Sequence, residues 1–374
     1  SFCTLLALVI VAMSARRAMF IDIAANLTDC VFRGVDWKGR TVHDDDFACV
    51  LDRAKSAGVD KIVVSGTSLE VSRRAVELCR QHKGTLYCTV GIHPAHAEEF
   101  LLPSRIPPPP KKSKKKQTKP AGTAAGASDA AAAAAASQPS LSLHDEVPGQ
   151  GDHVAATVAA LRELVAANRD VVVAIGEVGL DYAELNHVVT PALQREAFAI
   201  QLELALEFNL PLFLHSRECG MDFVDALSST EAGRRVVARG GHGVVHSFNG
   251  PREELERILG MGFDVGVNAS AFRTEAMADA VVDGVPLERL LVETDAPWCD
   301  FKRDDFGSRY VSTWPRANPK TEFVMGECVE RRNEPAHIVQ IVEAYVGHSG
   351  TRGKDLSADH AVEQFRANAL RVFP

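Results

Sequence analysis

Eight short apolar runs recur along this chain, and what separates them decides what they can build. They read "MFIDIAAN", "DKIVVSGT", "TLYCTVGIHP", "VVVAIGEVG", "PLFLHSR", "HGVVHSF", "FDVGVNA" and "LLVETDAP". Each is short and rich in Val, Ile or Leu, as a strand covered on both faces must be. Between them lie stretches with helical periodicity, such as "LEVSRRAVELCRQH" and "VAATVAALRELVAAN". "TPALQREAFAIQLELALEFN" and "PREELERILGMG" add a proline near the helix start, where its missing N–H is harmless. "DDDFACVLDRAKSAG" reads as a helix with acidic residues in its first turn and Gly58 at its end, which suits the helix dipole and the cap. Strands alternating with helices predict a parallel sheet sheathed by helices. Eight of them predict a closed (β/α)8 TIM barrel, an α/β fold in a single domain. A doubly wound open sheet is the alternative, but no G-x-G-x-x-G follows the first strand, which removes its dinucleotide signature. "EPAHIVQIVEAYVG" and "SADHAVEQFRANALRVF" supply two last helices for the outer ring.

Two segments fall outside this rhythm. Residues 103–152 are Pro-rich, then Lys-rich, then Ala/Gly/Ser-rich. Without apolar periodicity they cannot bury a core and read as a disordered surface insertion between barrel parts 19–102 and 153–374. Its "KKSKKK" reads as a solvated spacer, with a nuclear address or a phosphate-attracting patch as the alternatives. Residues 1–18 contain "FCTLLALVIVAM", shorter than the roughly 20 residues a membrane span needs. This leader reads as an upstream extension ahead of Met19, with a secretory or mitochondrial signal as the alternative. Cytoplasm or nucleus is favoured on that reading. The eight cysteines are scattered without a C-x-x-C pair and read as reduced thiols. A formal net charge of -8 excludes binding duplex nucleic acid through bulk positive charge.

The polar residues fall where a barrel would use them. The carboxyl ends of parallel strands share one mouth, and here they carry Asp22, Asn26, Thr67, His93, Glu177, His215, His246, Asn268 and Asp295. One strand-end histidine is usually a hydrogen-bonded structural residue; a converging set of His, Glu and Asp is poorly explained that way. Glu177 interrupts "VVAIGEVGLDY", and a buried carboxylate must be paired or bind metal. Glu177, His215, His246 and Asp295 make an N/O donor set without thiolate, suited to Mg²⁺, Mn²⁺ or Zn²⁺. Glu177 could bridge two cations about 3.5–4 Å apart. Asp295 is placed to orient or deprotonate a water. Neither a G-x-S-x-G elbow nor a P-loop occurs, so metal-assisted hydrolysis is the predicted reaction class.

The ordered series "FIDIAANLTD", "GIHP", "GEVGLDY", "FLHSR", "VVHSF", "ETDAPW" and "RNEPAHI" resembles the TatD-like metal-dependent deoxyribonucleases, and most closely their eukaryotic branch. The resemblance covers Met19 to the C-terminus apart from the insertion. It implies a metal-dependent hydrolase barrel that cuts DNA phosphodiester bonds, usually as a 3'→5' exonuclease, with roles in DNA repair or nuclear DNA degradation. It implies Glu177 as bridging ligand, His215 and His246 as ligands, Asp295 as ligand and base, and His93 against the scissile phosphate. Two divalent ions, Mg²⁺ first, are the implied cofactors; DNA is the expected partner, RNA an open second, and the chain a monomer. Many relatives carry D-x-H-x-H on the first strand, where this chain has Asp22, Ala24 and Asn26. Val178 and Ser216 stand where relatives often have Cys. Asn26, Arg217 and Arg332 are the candidate substrate-binding residues, with Arg273, Lys320 and Arg331 behind them. Trp298 and Phe248 read as packing against neighbouring loops, with base stacking the alternative. An amidohydrolase acting on a small molecule, and a binding scaffold without activity, are the competing functions.

Overall fold

The computed structural model describes residues 20–108 and 141–373. The apolar leader, Met19 and the "KKSKKK" run lie outside these residues. All eight expected strands form: β1 Phe20–Ala25, β2 Val59–Val64, β3 Leu86–Val90, β4 Val172–Asp181, β5 Leu212–Arg217, β6 Gly243–His246, β7 Asp264–Val267 and β8 Leu290–Val292. Each pairs in parallel with its sequence neighbour, in the order β1 to β8. The last strand returns to the first through backbone bonds: Asp295 N donates to Ala24 O at 2.8 Å, and Asn26 N to Ala296 O at 2.6 Å. The result is a TIM barrel.

Ten helices among the described residues coat it: α1 Phe47–Ser56, α2 Leu69–Gln81, α3 Gln150–Ala166, α4 Pro191–Phe208, α5 Asp222–Ser229, α6 Glu231–Ala238, α7 Arg252–Gly260, α8 Glu275–Gly284, α9 Ile338–Thr351 and α10 Ala358–Val372. None is long and apolar enough to cross a membrane. Side-chain caps start several of them. Ser68 accepts from Val71 N at 3.0 Å and Thr190 from Leu193 N at 3.2 Å, each satisfying an amide that the helix leaves unpaired.

Two expectations need correction. Asp44, Asp45 and Asp46 precede α1, whose first turn holds no acidic residue; Asp46 is instead buried against two arginines. The insertion is also narrower than its composition implies. Leu143 is buried, Ser142 Oγ donates to Glu196 at 2.7 Å, and Gln150 Nε2 donates to Phe100 O at 2.9 Å. Residues 141–152 therefore belong to the barrel's coat.

The barrel interior explains how the mouth is furnished. Ile21, Ile23, Ala174, Phe213, Val244 and Leu291 pack together inside, and Val372 and Phe373 of the C-terminal segment close the floor. Side chains two apart on a strand share a face. One step up from Phe213, Val244 and Leu291 on that inner face stand His215, His246 and Glu293.

Candidate metal centre at the barrel mouth

Glu177 breaks the two-residue rhythm, since it follows inward-facing Ala174 by three positions. The β4–β5 register shifts between Ile175 and Val178, and this irregularity turns Glu177 into the mouth. Glycine permits it: a Cβ on Gly176 would lie 2.5 Å from Phe213 Cβ, and one on Gly91 only 2.7 Å from the Gly176 carbonyl carbon. Strands β3, β4 and β5 approach too closely there for any side chain.

Three potential ligand atoms converge at this point. Glu177 Oε1 lies 2.5 Å from His246 Nε2 and 2.9 Å from His215 Nδ1, and the two nitrogens are 3.0 Å apart. His93 Nε2 is 3.6 Å from the same oxygen. On its far side, His215 Nε2 is 3.2 Å from Asp181 Oδ2 but off the hydrogen-bond direction, so this buried nitrogen has no hydrogen-bond partner. Two donor groups result, Glu177–His215–His246 and His93–Asp181–His215. One proton can join only one pair in such a knot of lone pairs, whereas a divalent cation can accept from several. The residues fit a metal.

Neighbouring groups set the tautomers. Glu293 is buried two residues before Asp295; its Oε1 accepts from Ser247 N at 2.6 Å and Asn268 Nδ2 at 3.2 Å, and faces His246 Nδ1 at 3.3 Å. A carboxylate there holds the proton on Nδ1 and leaves the Nε2 lone pair for the cluster. His93 is the opposite case. Its Nδ1 accepts from Ala95 N at 3.0 Å, so Nε2 carries the hydrogen and points it toward Glu177. His93 is thus a neutral hydrogen-bond donor in this tautomer, and it joins the donor group with Asp181 and His215 only if Nε2 gives up that hydrogen.

Charge follows the same geometry. Burial pushes the Glu177 carboxyl up, but His246, His215 and His93 outweigh it and hold it well below the usual range. Burial lowers His246 and His215, yet their carboxylate neighbours raise both overall. His93 falls to about 3 through burial and the adjacent His215. Burial lifts Asp295 to about 7 against the pull of His246.

Asp295 stands beside the two donor groups and belongs to neither. It holds a left-handed φ of 54°, a strained backbone for a non-glycine residue. Asn26 Nδ2 donates to its Oδ1 at 3.1 Å and Cys299 Sγ approaches Oδ2 at 3.4 Å. Asn26 therefore orients Asp295 through one amide hydrogen. Asp22 stays away from the mouth and joins β1 to β8, accepting from Thr294 N at 2.8 Å and Thr294 Oγ1 at 2.5 Å.

The candidate cations divide. Arg217 reaches the mouth, half-exposed, with Nη1 3.6 Å from Asp181 and 3.7 Å from Glu184. Arg331 is exposed and pairs with Asp300 at 3.4 Å. Arg332 is a correction: it is 3% exposed and bound to Asp46 at 2.6 Å and Glu334 at 2.8 Å. Its charge is already spent, so it cannot serve a phosphate. Phe248 is buried, as packing requires, while Trp298 is exposed. Ser216 bonds Glu254 below the mouth.

Sequence reasoning missed Asp181, Glu293 and Asn333. Glu293 had a signal in its two-residue spacing from Leu291, and Asp181 in its place four residues beyond Glu177 on one strand. Asn333 had none, because its role depends on contacts across the fold: Nδ2 donates to Thr294 O at 2.8 Å and Trp298 O at 2.7 Å. Those two carbonyls bracket Asp295.

A parallel eight-stranded barrel whose mouth gathers histidines and carboxylates fit for metal is the architecture of a metal-dependent hydrolase. The family profile of TatD related DNase matches residues 21–374, and the chain belongs to that family; it is a TatD deoxyribonuclease, a hydrolase. It is 32% identical over 355 residues to Deoxyribonuclease Tat-D of Schizosaccharomyces pombe, covering 94% of this chain and 95% of that one. The protein named 3'-5' ssDNA/RNA exonuclease TatD in Erwinia amylovora is 29% identical, with 94% and 98% covered. Among solved structures, a hydrolase TatD family protein from Entamoeba histolytica is similar with a TM-score of 0.73 and 26% identity, over 95% of this chain and 97% of that chain.

Proposed function

We propose that this deoxyribonuclease is a 3'→5' exonuclease on single-stranded DNA, accepts RNA as a second substrate, and acts as a monomer with two divalent ions, Mg²⁺ foremost. DNA repair or DNA catabolism is the setting we infer for it. The observation that carries the reading is the meeting of Glu177 Oε1 with His215 Nδ1 and His246 Nε2 within 3.0 Å. The name of the Erwinia amylovora relative supports the polarity and the strand preference.

Glu177, His215 and His246 would hold the first ion through one nitrogen of each histidine, and Asp181 is the nearby carboxylate that would serve another. A bound divalent ion stabilises charge on the phosphate oxygens and lowers the pKa of water. The remaining work falls to side chains. Glu293 fixes the His246 ring. Asp295, buried beside the cluster and held by Asn26, is the group that holds the attacking water and takes its proton at a carboxylate oxygen. His93 stays uncharged at neutral pH and presents Nε2–H to a non-bridging phosphate oxygen. Arg217 is the nearest exposed cation for the next phosphate along the strand.

The test uses 5'-labelled single-stranded DNA with the full chain in Mg²⁺ and in EDTA, beside Glu177→Ala. A ladder shortening from the 3' end, absent in EDTA and in the variant, is expected. Intact DNA with Mg²⁺, Mn²⁺ and Zn²⁺ alike would sink the reading.

A further inference from the structure

We infer that Trp298 and Trp37 form a stacking platform for an unpaired base of the substrate strand, beside the metal centre; the inference rests on the nuclease reading above. Indoles are usually well buried, yet Trp37 is 58% and Trp298 45% exposed. They do not stand alone. Their ring centroids are 5.1 Å apart and the planes diverge by 13°, so each indole backs the other and the stack offers an outer face to a third ring. Trp37 lies on the loop after β1 and Trp298 on the loop after β8, so both leave the barrel at the face that holds Glu177.

The Trp37 ring and the Trp298 backbone are held in place before any ligand arrives. Trp37 Nε1 donates to Asp29 Oδ2 at 3.3 Å, and Asp29 Oδ1 in turn accepts from Val31 N at 2.9 Å. Trp298 N donates to Asp295 O at 2.9 Å, while its carbonyl accepts from Asn333 at 2.7 Å. A fixed ring loses little freedom on binding. The link through Asp295 also sets the platform's distance from the reacting phosphate. Lys320 Nζ sits 5.4 Å from the Trp37 ring centroid and gives the platform a cation for a backbone phosphate.

An aromatic stack whose Trp37 ring lies under an ammonium, leaving the Trp298 face open next to a phosphodiester-cleaving site, suits a nucleobase and its sugar-phosphate link. Bases in a duplex are covered on both faces by their neighbours, so the occupant is unpaired. Stacking reads the π-face that every base has, which predicts tolerance of sequence. The other tryptophan, Trp314, is placed differently: its Nε1 donates to Val311 O at 3.0 Å and the Arg303 guanidinium covers its ring at 3.7 Å.

The test is binding of short oligothymidylate in Mg²⁺ to the full chain carrying Glu177→Gln, read by tryptophan emission. We expect quenching on binding and a loss of affinity of about tenfold or more on Trp298→Ala or Trp37→Ala, with most of it kept by Trp298→Phe. Replacing one nucleotide by an abasic site should cost the parent protein the same factor and cost the Trp298→Ala protein nothing further. Unquenched emission together with unchanged affinity in both alanine variants, while the native chain without the Glu177 change cuts single-stranded DNA, would overturn the platform and leave the nuclease reading intact. A native chain that neither binds nor cuts the strand would remove both. Melting curves by circular dichroism confirm that the variants are folded.

Discussion

Two clusters of buried charge lie in this barrel, and they are balanced in opposite ways. Beneath α1, Asp46 and Glu334 meet Arg53 and Arg332: Arg53 Nε lies 2.7 Å from Glu334, and Arg332 bonds both acids at 2.6 and 2.8 Å. Two carboxylates face two guanidiniums, and the cluster is neutral. At the mouth, Glu177, Asp181, Glu293 and Asp295 face histidines and a half-exposed Arg217. Fixed opposite charge neutralises the first group, although Arg332 Nε has no partner there and Glu334 also lies within reach of Cys328 and His337 as a third potential donor group. The second sets four carboxylates against one fixed cation, an acidic surplus that only protons on its histidines offset, and it keeps buried atoms without partners, including Glu293 Oε2 and His215 Nε2. Burying unmatched charge is costly, so a surplus of this kind marks a place that a cation completes. Arginines turn acid clusters into struts; histidines leave them open to metal.

The sharpest test of that contrast compares one removal from each cluster. Glu177→Ala should reduce nuclease activity to background while leaving the midpoint of urea unfolding nearly unchanged, because it takes away a carboxylate from an acidic surplus. Arg332→Ala should do the reverse. It strands Asp46 and Glu334 in the interior, at a loss of about 3–5 kcal/mol, and its activity should fall only with the unfolded fraction. Activity lost equally in both, at equal stability, would break the distinction.

The pH dependence of the strut comes next. Burial raises the Asp46 carboxyl, but Arg332 and Arg53 outweigh it and hold its pKa below the usual carboxylate value. A carboxyl depressed in the folded state binds fewer protons there than in the unfolded chain. Its stabilisation is therefore present above the unfolded value and fades as the pH falls through the folded one. Asp46→Asn should cost roughly 2 kcal/mol at neutral pH, and the gap from the parent should close below about pH 4. A constant gap across that range would show that lost packing, not charge, is responsible.

Glu293→Gln refines the other side. The amide keeps the shape but weakens the acceptor that orients His246, and such supporting groups contribute about tenfold to hundredfold in metal affinity or activity. Titration calorimetry with Mn²⁺ should record the loss directly. Unchanged affinity would make Glu293 a support for the Ser247 and Asn268 turn and nothing more.

How far the sequence reveals this contrast depends on the range of the contacts. The eight strands are legible because burial on both faces leaves a local mark, and Glu177 is legible because a carboxylate in such a strand is out of place. His215 and His246 follow from the strand ends. Arg332 misleads, because what neutralises it is Asp46, far back in the chain. Asp44–Asp46 suggest a helix dipole partner for the same reason: nothing local shows that Asp46 turns inward to Arg53 and Arg332. The edges of the insertion mislead through composition, since a few contacts such as Leu143 and Ser142 suffice to fix residues that lack periodicity.

Asn333 joins the two clusters, and its removal gives the smallest expected effect. It follows Arg332, precedes Glu334, and its side chain holds the carbonyls of Thr294 and Trp298, while His337 Nδ1 faces its Oδ1 at 2.9 Å. The neutral strut thereby anchors the loop on which Asp295 keeps its strained φ. Asn333→Ala leaves two carbonyls short of a donor, at about 1–2 kcal/mol. The loop then relaxes away from a conformation that Asp295 would not adopt unaided. The expected signature is a fall in kcat within about tenfold at unchanged KM, with Mn²⁺ affinity also unchanged because Glu177, His215 and His246 do not move. A rise in KM alone would assign Asn333 to holding Trp298 for substrate. Loss of metal affinity would mean that the strut supports the donor set itself, and the two clusters would then have to be read as one.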